Sequence, residues 1–171
     1  MTEVPAPVVV GISRRTGSPE ALAFAIEQAR LLGASVLAIT AWRPPRPVGA
    51  VGGKPIGMLE ASPAAIWTQE QERLAVRLQE QIGQPLARAG VTFELRRGQP
   101  AAVLLAAART ARLLVLDSPR AGNLTTIPKS WIAPEIVFRA DCPVVVMPAQ
   151  RGTRIRERLL TAAGTAGRPS N

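Results

Sequence analysis

The polar residues best placed for chemistry sit where apolar runs end. Ser13 follows Val8 to Ile12, Trp42 follows Ser35 to Ala41, and Asp117 and Ser118 follow Leu113 to Leu116. Each run reads as a buried strand, and the residues just past the C-termini of parallel strands are those that line a ligand crevice. A little further on, Arg120 and Lys129 could pair with an anion, Ser130 offers a hydroxyl, and Trp42 and Trp131 carry flat faces that could stack on a planar base. Each has a plainer reading. Ser130 suits a helix cap before Trp131, the tryptophans suit packing, and Asp117 can cap its own loop through nearby amides. Gly11, in the short segment Gly11-Ile12-Ser13, suits close packing. Cys142, followed by Pro143 and an apolar run, suits a small buried hydrophobe, because nothing local lowers its pKa.

These groups support binding better than catalysis. The sequence has no histidine, which excludes a histidine-based triad, counts against the common zinc sites and leaves acid–base work to scattered carboxylates. Neither a Walker loop, nor a Ser-Gly-Gly phosphate loop, nor a His-x-Gly-His signature occurs. The sequence is therefore read as that of a non-enzyme.

The elements that must position these residues alternate along the chain. After Val8 to Ile12 and a polar turn, Ser18 and Pro19 predict a helix start with Glu20 in its first turn; Leu22, Ala25, Ile26, Ala29 and Leu32 recur at helical spacing until Gly33. Ser35 to Ala41 then completes a βαβ unit, whose strands should be parallel. Arg43 to Ser62 holds four prolines and four glycines and reads as a long loop. Ser62 and Pro63 repeat the cap-plus-proline start of a second helix lined by Ile66, Leu74, Leu78 and Ile82, which Pro85 should bend or end. Val91 to Arg97 reads as a strand, Pro100 to Arg112 as an alanine-rich helix and Leu113 to Leu116 as a strand. The loop Asp117 to Ser130, a short helix around Ile132 to Ala140 and the strand Cys142 to Met147 complete the series. Five strands alternating with four helices specify a doubly wound parallel α/β sheet with helices on both faces.

Length and composition agree with one domain, placed at residues 1–149, followed by a basic tail over 150–171 that is expected to be flexible. The formal charge of +9 raises nucleic acid as a partner, but five arginines against one acid lie beyond residue 150, leaving about +5 over the rest with no basic block. The distribution does not favour nucleic-acid binding. The apolar runs are too short to cross a bilayer, the N-terminus does not read as a secretory signal, and a single cysteine permits no internal disulfide. A cytoplasmic, non-membrane protein is expected.

With the elements in place, the sequence resembles the universal stress protein family over about residues 7 to 149. The pieces that carry the resemblance are VVVGIS at 8–13, ALAFAIEQARLLGASVLAITAW at 21–42, RRGQPAAVLLAAA at 96–108, LLVLDS at 113–118 and ADCPVVVMP at 140–148. The second and last are the most specific. The resemblance implies a Rossmann-like fold related to the adenine nucleotide alpha hydrolases and, in the family's ATP-binding branch, an adenine-nucleotide pocket. An Asp at the end of the first strand is replaced here by Ser13, and the backbone that meets adenine corresponds to Ala41 and Trp42. The phosphate loop, patterned G-x-x-G-x9-G-[S/T], is replaced by Asp117, Arg120, Ser130 and Trp131 with its length kept. Carried across, the implied pocket comprises Gly11, Ile12, Ser13, Ala41, Trp42, Asp117, Ser118, Arg120, Gly122, Lys129, Ser130 and Trp131.

Glycines serve such a loop because bare backbone approaches phosphate oxygens and accepts positive φ. Asp117 instead brings like charge toward a polyanion, and Arg120 and Trp131 fill space. The resulting expectation is a non-catalytic stress-response protein with altered or lost ATP binding, the alternative being a regulatory protein that binds ATP, AMP or cyclic AMP. An adenine nucleotide is the one candidate cofactor. The resemblance further implies a homodimer through residues 142–148, since an apolar last strand calls for cover at its edge.

Overall fold

The computed structural model describes residues 5–43, 62–118 and 132–148. Most of the Arg43 to Ser62 and Asp117 to Ser130 loops, and the tail from Gln150, lie outside them. Among the described residues the elements are β1 (Val8–Gly11), α1 (Pro19–Leu32), β2 (Val36–Trp42), α2 (Pro63–Ile82), β3 (Val91–Arg97), α3 (Pro100–Ala108), β4 (Leu113–Leu116), α4 (Ala133–Arg139) and β5 (Val144–Val146). The five strands form one parallel sheet in the order β3-β2-β1-β4-β5. The chain winds outward from β1 in one direction and then the other, so the switch in direction falls between β1 and β4.

Strand periodicity divides the core between the two faces of the sheet. Val8, Val10, Ile12, Val36 and Ala38 pack with Leu22, Ala25, Ala29 and Leu78 from α1 and α2. Val9, Ile39, Leu114 and Leu116 point the other way, onto Val103, Leu104 and Ala107 of α3 and Ile136 of α4. Val8, Val9 and Val10 are all fully buried, as a central strand covered on both sides requires.

Several boundaries differ from the sequence expectation for identifiable reasons. The alanine-rich helix stops at Ala108, short of Arg112. Thr110 and Ala111 tighten onto the carbonyls of Ala107 and Ala108, and the Arg112 amide donates to Pro7, joining the sheet ladder (2.9 Å). The second helix ends at Ile82, where Gly83 takes φ 72°, so Pro85 falls in the following short turn rather than in the helix. The regular part of the last strand is Val144–Val146, although Leu114 donates to Pro143 and Met147 to Leu116 on either side of it. Ser62 caps α2 as expected, accepting from the Ala65 amide at 3.2 Å. Ser18 behaves differently. It sits at φ 48°, gives no side-chain cap to α1, and is wholly buried.

Candidate functional site

A cavity of about 300 Å³ opens where the C-terminal ends of β1, β2 and β4 meet the first turns of α3 and α4. Gly11, Ile12 and Ser13 form one wall, Ile39 and Ala41 a second, Leu116 and Asp117 a third, with Pro100, Leu104, Ile132 and Ala133 closing the helical side. Its position at the switch between β1 and β4 is the one that the topology predicts for a ligand. Gly11 has a packing reason to be glycine: an added Cβ would lie 3.2 Å from Leu104 and 3.3 Å from Leu116, narrowing the floor.

The turn after β1 is held by its own hydroxyls. The Ser13 amide donates to Ser18 Oγ at 3.1 Å, and Ser13 Oγ accepts from the amides of Arg15 and Thr16. The Gly17 amide donates to the Ser13 carbonyl at 2.8 Å, and the Ser18 amide to Thr16 Oγ1 at 3.3 Å. Ser18 therefore reaches backward into the turn instead of forward along α1. That bond helps hold a left-handed residue with a side chain, a conformation that costs about 1–2 kcal/mol. Below the turn, buried Thr40 donates to the Ile12 carbonyl at 3.1 Å and ties β1 to β2.

Helix α2 braces the same turn from outside. Glu70, Arg73, Arg77 and Gln81 recur at helical spacing on one face. Arg77 donates to the carbonyls of Arg14 (2.9 Å) and Arg15 (3.3 Å), and Gln81 to that of Thr16 (3.2 Å). Glu70 accepts from Arg14 Nε at 2.7 Å and takes two bonds of 2.9 Å from Arg73. The hydrogen bond from Arg73, with Arg14 in support, holds the Glu70 carboxyl below its ordinary value against the opposing effect of burial; Arg73 is raised in turn.

The residues singled out in the sequence divide between several places. Gly11, Ile12, Ser13, Ala41 and Asp117 line the cavity together. Trp42 does not, because successive strand residues face opposite sides: Ala41 turns to the cavity and Trp42 to α2. There the indole is 1 % exposed, meets Trp67 edge-on at 5.1 Å and packs on Leu74 and Leu95, with the Arg97 guanidinium 5.5 Å over its ring. Ser118 is described but is not part of the wall. Arg120, Gly122, Lys129, Ser130 and Trp131 lie outside the described residues. Cys142 packs beside the α3 and α4 core, and burial pushes its thiol up, away from nucleophilic use.

Sequence reading missed Arg14 and Ser18 as wall residues, along with Ile39, Pro100, Leu104 and Ile132. Strand parity with Ala41 could have found Ile39. Nothing in the sequence signals the left-handed Ser18. Among the described residues, no cluster of acidic, histidine or cysteine side chains could hold a metal, and no helix is long and apolar enough to cross a membrane.

Residues 6–148 match the model of the universal stress protein family. Solved structures agree in fold. A universal stress protein in complex with cAMP superposes with a TM-score of 0.56 at 18 % identity, covering 86 % of this chain and 100 % of the other. The universal stress protein of Archaeoglobus fulgidus in complex with dAMP gives 0.52 at 18 %, over 85 % and 100 %. A protein of this family from Burkholderia pseudomallei gives 0.52 at 19 %, over 87 % and 100 %. No curated protein matches the sequence.

Proposed function

The chain belongs to the universal stress protein family, and from that premise we propose that it is a non-catalytic stress-response protein whose crevice takes an adenine nucleotide with one phosphate in preference to ATP. The observation that carries this reading is the open cavity beside Ala41, with the bulky Trp42 turned to the other face of the sheet. At about 300 Å³ it is at the small end of ligand sites, suited to a nucleoside-sized body. Its apolar walls suit a base, and Ser13 and Asp117 offer polar contacts to a sugar. Two similar folds were solved with nucleotides of one phosphate, cAMP and dAMP. Against ATP stand Asp117 and the lost glycines, which replace an amide cradle with like charge and side-chain bulk.

Calorimetry with AMP, cyclic AMP and ATP tests the reading. Binding of AMP or cyclic AMP at least tenfold tighter than ATP is the expected result; ATP binding as tightly as either overturns it. The protein acts as a homodimer paired along β5, on this same reading, and a cytoplasmic setting belongs to it because a lone thiol calls for no oxidising compartment.

A further inference from the structure

We propose that Arg14 is the phosphate-contacting residue of this cavity, and that an incoming monophosphate takes its guanidinium over from Glu70. The proposal rests on the nucleotide reading above and names how the site would hold the anion. Arg14 is the cationic residue of the described cavity wall.

The turn has few amides to offer. Those of Ser13, Arg15, Thr16, Gly17 and Ser18 are all engaged inside it, by Ser18 Oγ, Ser13 Oγ, the Ser13 carbonyl and Thr16 Oγ1. A phosphate arriving at this turn is therefore met chiefly by a side chain. The Arg14 side chain is 47 % exposed, and its bond to Glu70 uses Nε, so among the described residues Nη1 and Nη2 have no protein partner. A guanidinium fork of that kind suits phosphate oxygens.

The resting pair is built to be broken cheaply. When Arg14 leaves, Glu70 keeps both bonds from Arg73 and is not orphaned. Meanwhile the Arg14 carbonyl stays pinned by Arg77 and that of Thr16 by Gln81, so side-chain rotation suffices and the turn need not move. Glu70 thereby competes with the ligand for one cation.

The test titrates AMP and adenosine into the full chain and into the variants Arg14→Gln, Arg14→Lys and Glu70→Gln, with thermal melts as folding controls. Arg14→Gln should weaken AMP about tenfold or more and leave adenosine unchanged, as loss of a charged hydrogen bond does. Arg14→Lys should recover part of that loss. Glu70→Gln should tighten AMP about two- to fivefold, the scale of an exposed ion pair, again without effect on adenosine. If AMP binds and Arg14→Gln binds it as well as the parent, or if Glu70→Gln weakens both probes alike, Arg14 is not the phosphate contact while the nucleotide reading stands. If neither AMP nor adenosine binds the parent, both fall.

Discussion

At the scale of single residues, the site depends on side chains doing backbone work. Ser18 occupies a left-handed position usually given to glycine, and its hydroxyl satisfies the amide of Ser13, five residues back. The serine–proline pair reads in sequence as a helix cap, and the reading of Ser62 and Pro63 by the same signal is met by the bond from Ala65. What separates the two cases is the turn preceding α1, whose Gly17 at φ 74° sets the following serine on a different path. That local history is not legible from the dipeptide. Replacing Ser18 with alanine should leave a part-buried amide unsatisfied without relieving the left-handed backbone, and so cost about 1–3 kcal/mol. Urea unfolding of Ser18→Ala against the parent measures this. A loss under 0.5 kcal/mol, on the order expected of neutral surface changes, would mean that the Ser13 amide finds another acceptor.

At the scale of elements, most of the architecture was legible because strand and helix carry different periods. The run Val91 to Arg97 has both of its ends legible in the sequence, since Gly90 and Gly98 bracket it. The end of α3 is not legible, because its alanines suit a helix beyond Ala108, whereas the end is decided by Arg112 pairing with Pro7, a contact far away in sequence. Trp42 gives the clearest lesson about the site. Its place after a strand suggests a ligand face, yet parity with Ala41 sends it to α2, where Trp67, Leu74 and Leu95 enclose it. Trp42→Ala should therefore cost about 3–5 kcal/mol, as removal of a large buried aromatic does, and leave the ratio of AMP to ATP affinity unchanged where the protein stays folded. Denaturant titration and calorimetry at low temperature provide the two readouts. A stable variant that has lost its nucleotide would place the indole against the ligand instead.

At the scale of the whole molecule, the sheet has two ends, and they are not equivalent. β3 presents Thr92, Glu94 and Arg96 along one side, with an ion pair of 2.7 Å between the last two, which is the charged dressing that discourages edge pairing. β5 is only Val144, Val145 and Val146, each half-buried, with no charge on it. The helix that leads into it, α4, packs beside it and carries Phe138 at 88 % and Val137 at 51 % exposure. An uncharged strand edge next to an exposed phenyl ring fits a second copy of the same surface, since a twofold pairing would cover both strands and both rings at once. Substitution of Val144 or Val146 by lysine would confuse interface damage with core damage, because both also pack against the core formed with α3 and α4. Phe138 avoids that difficulty, being almost wholly outside the fold. Phe138→Asp should keep the parent melting behaviour at concentrations where both proteins are monomeric, yet weaken dimerisation about tenfold or more by adding two like charges to one seam. Sedimentation velocity across a dilution series reads the association. A parent that stays monomeric at high micromolar concentration overturns the paired-edge proposal, and a dimer indifferent to Phe138→Asp moves the seam away from α4.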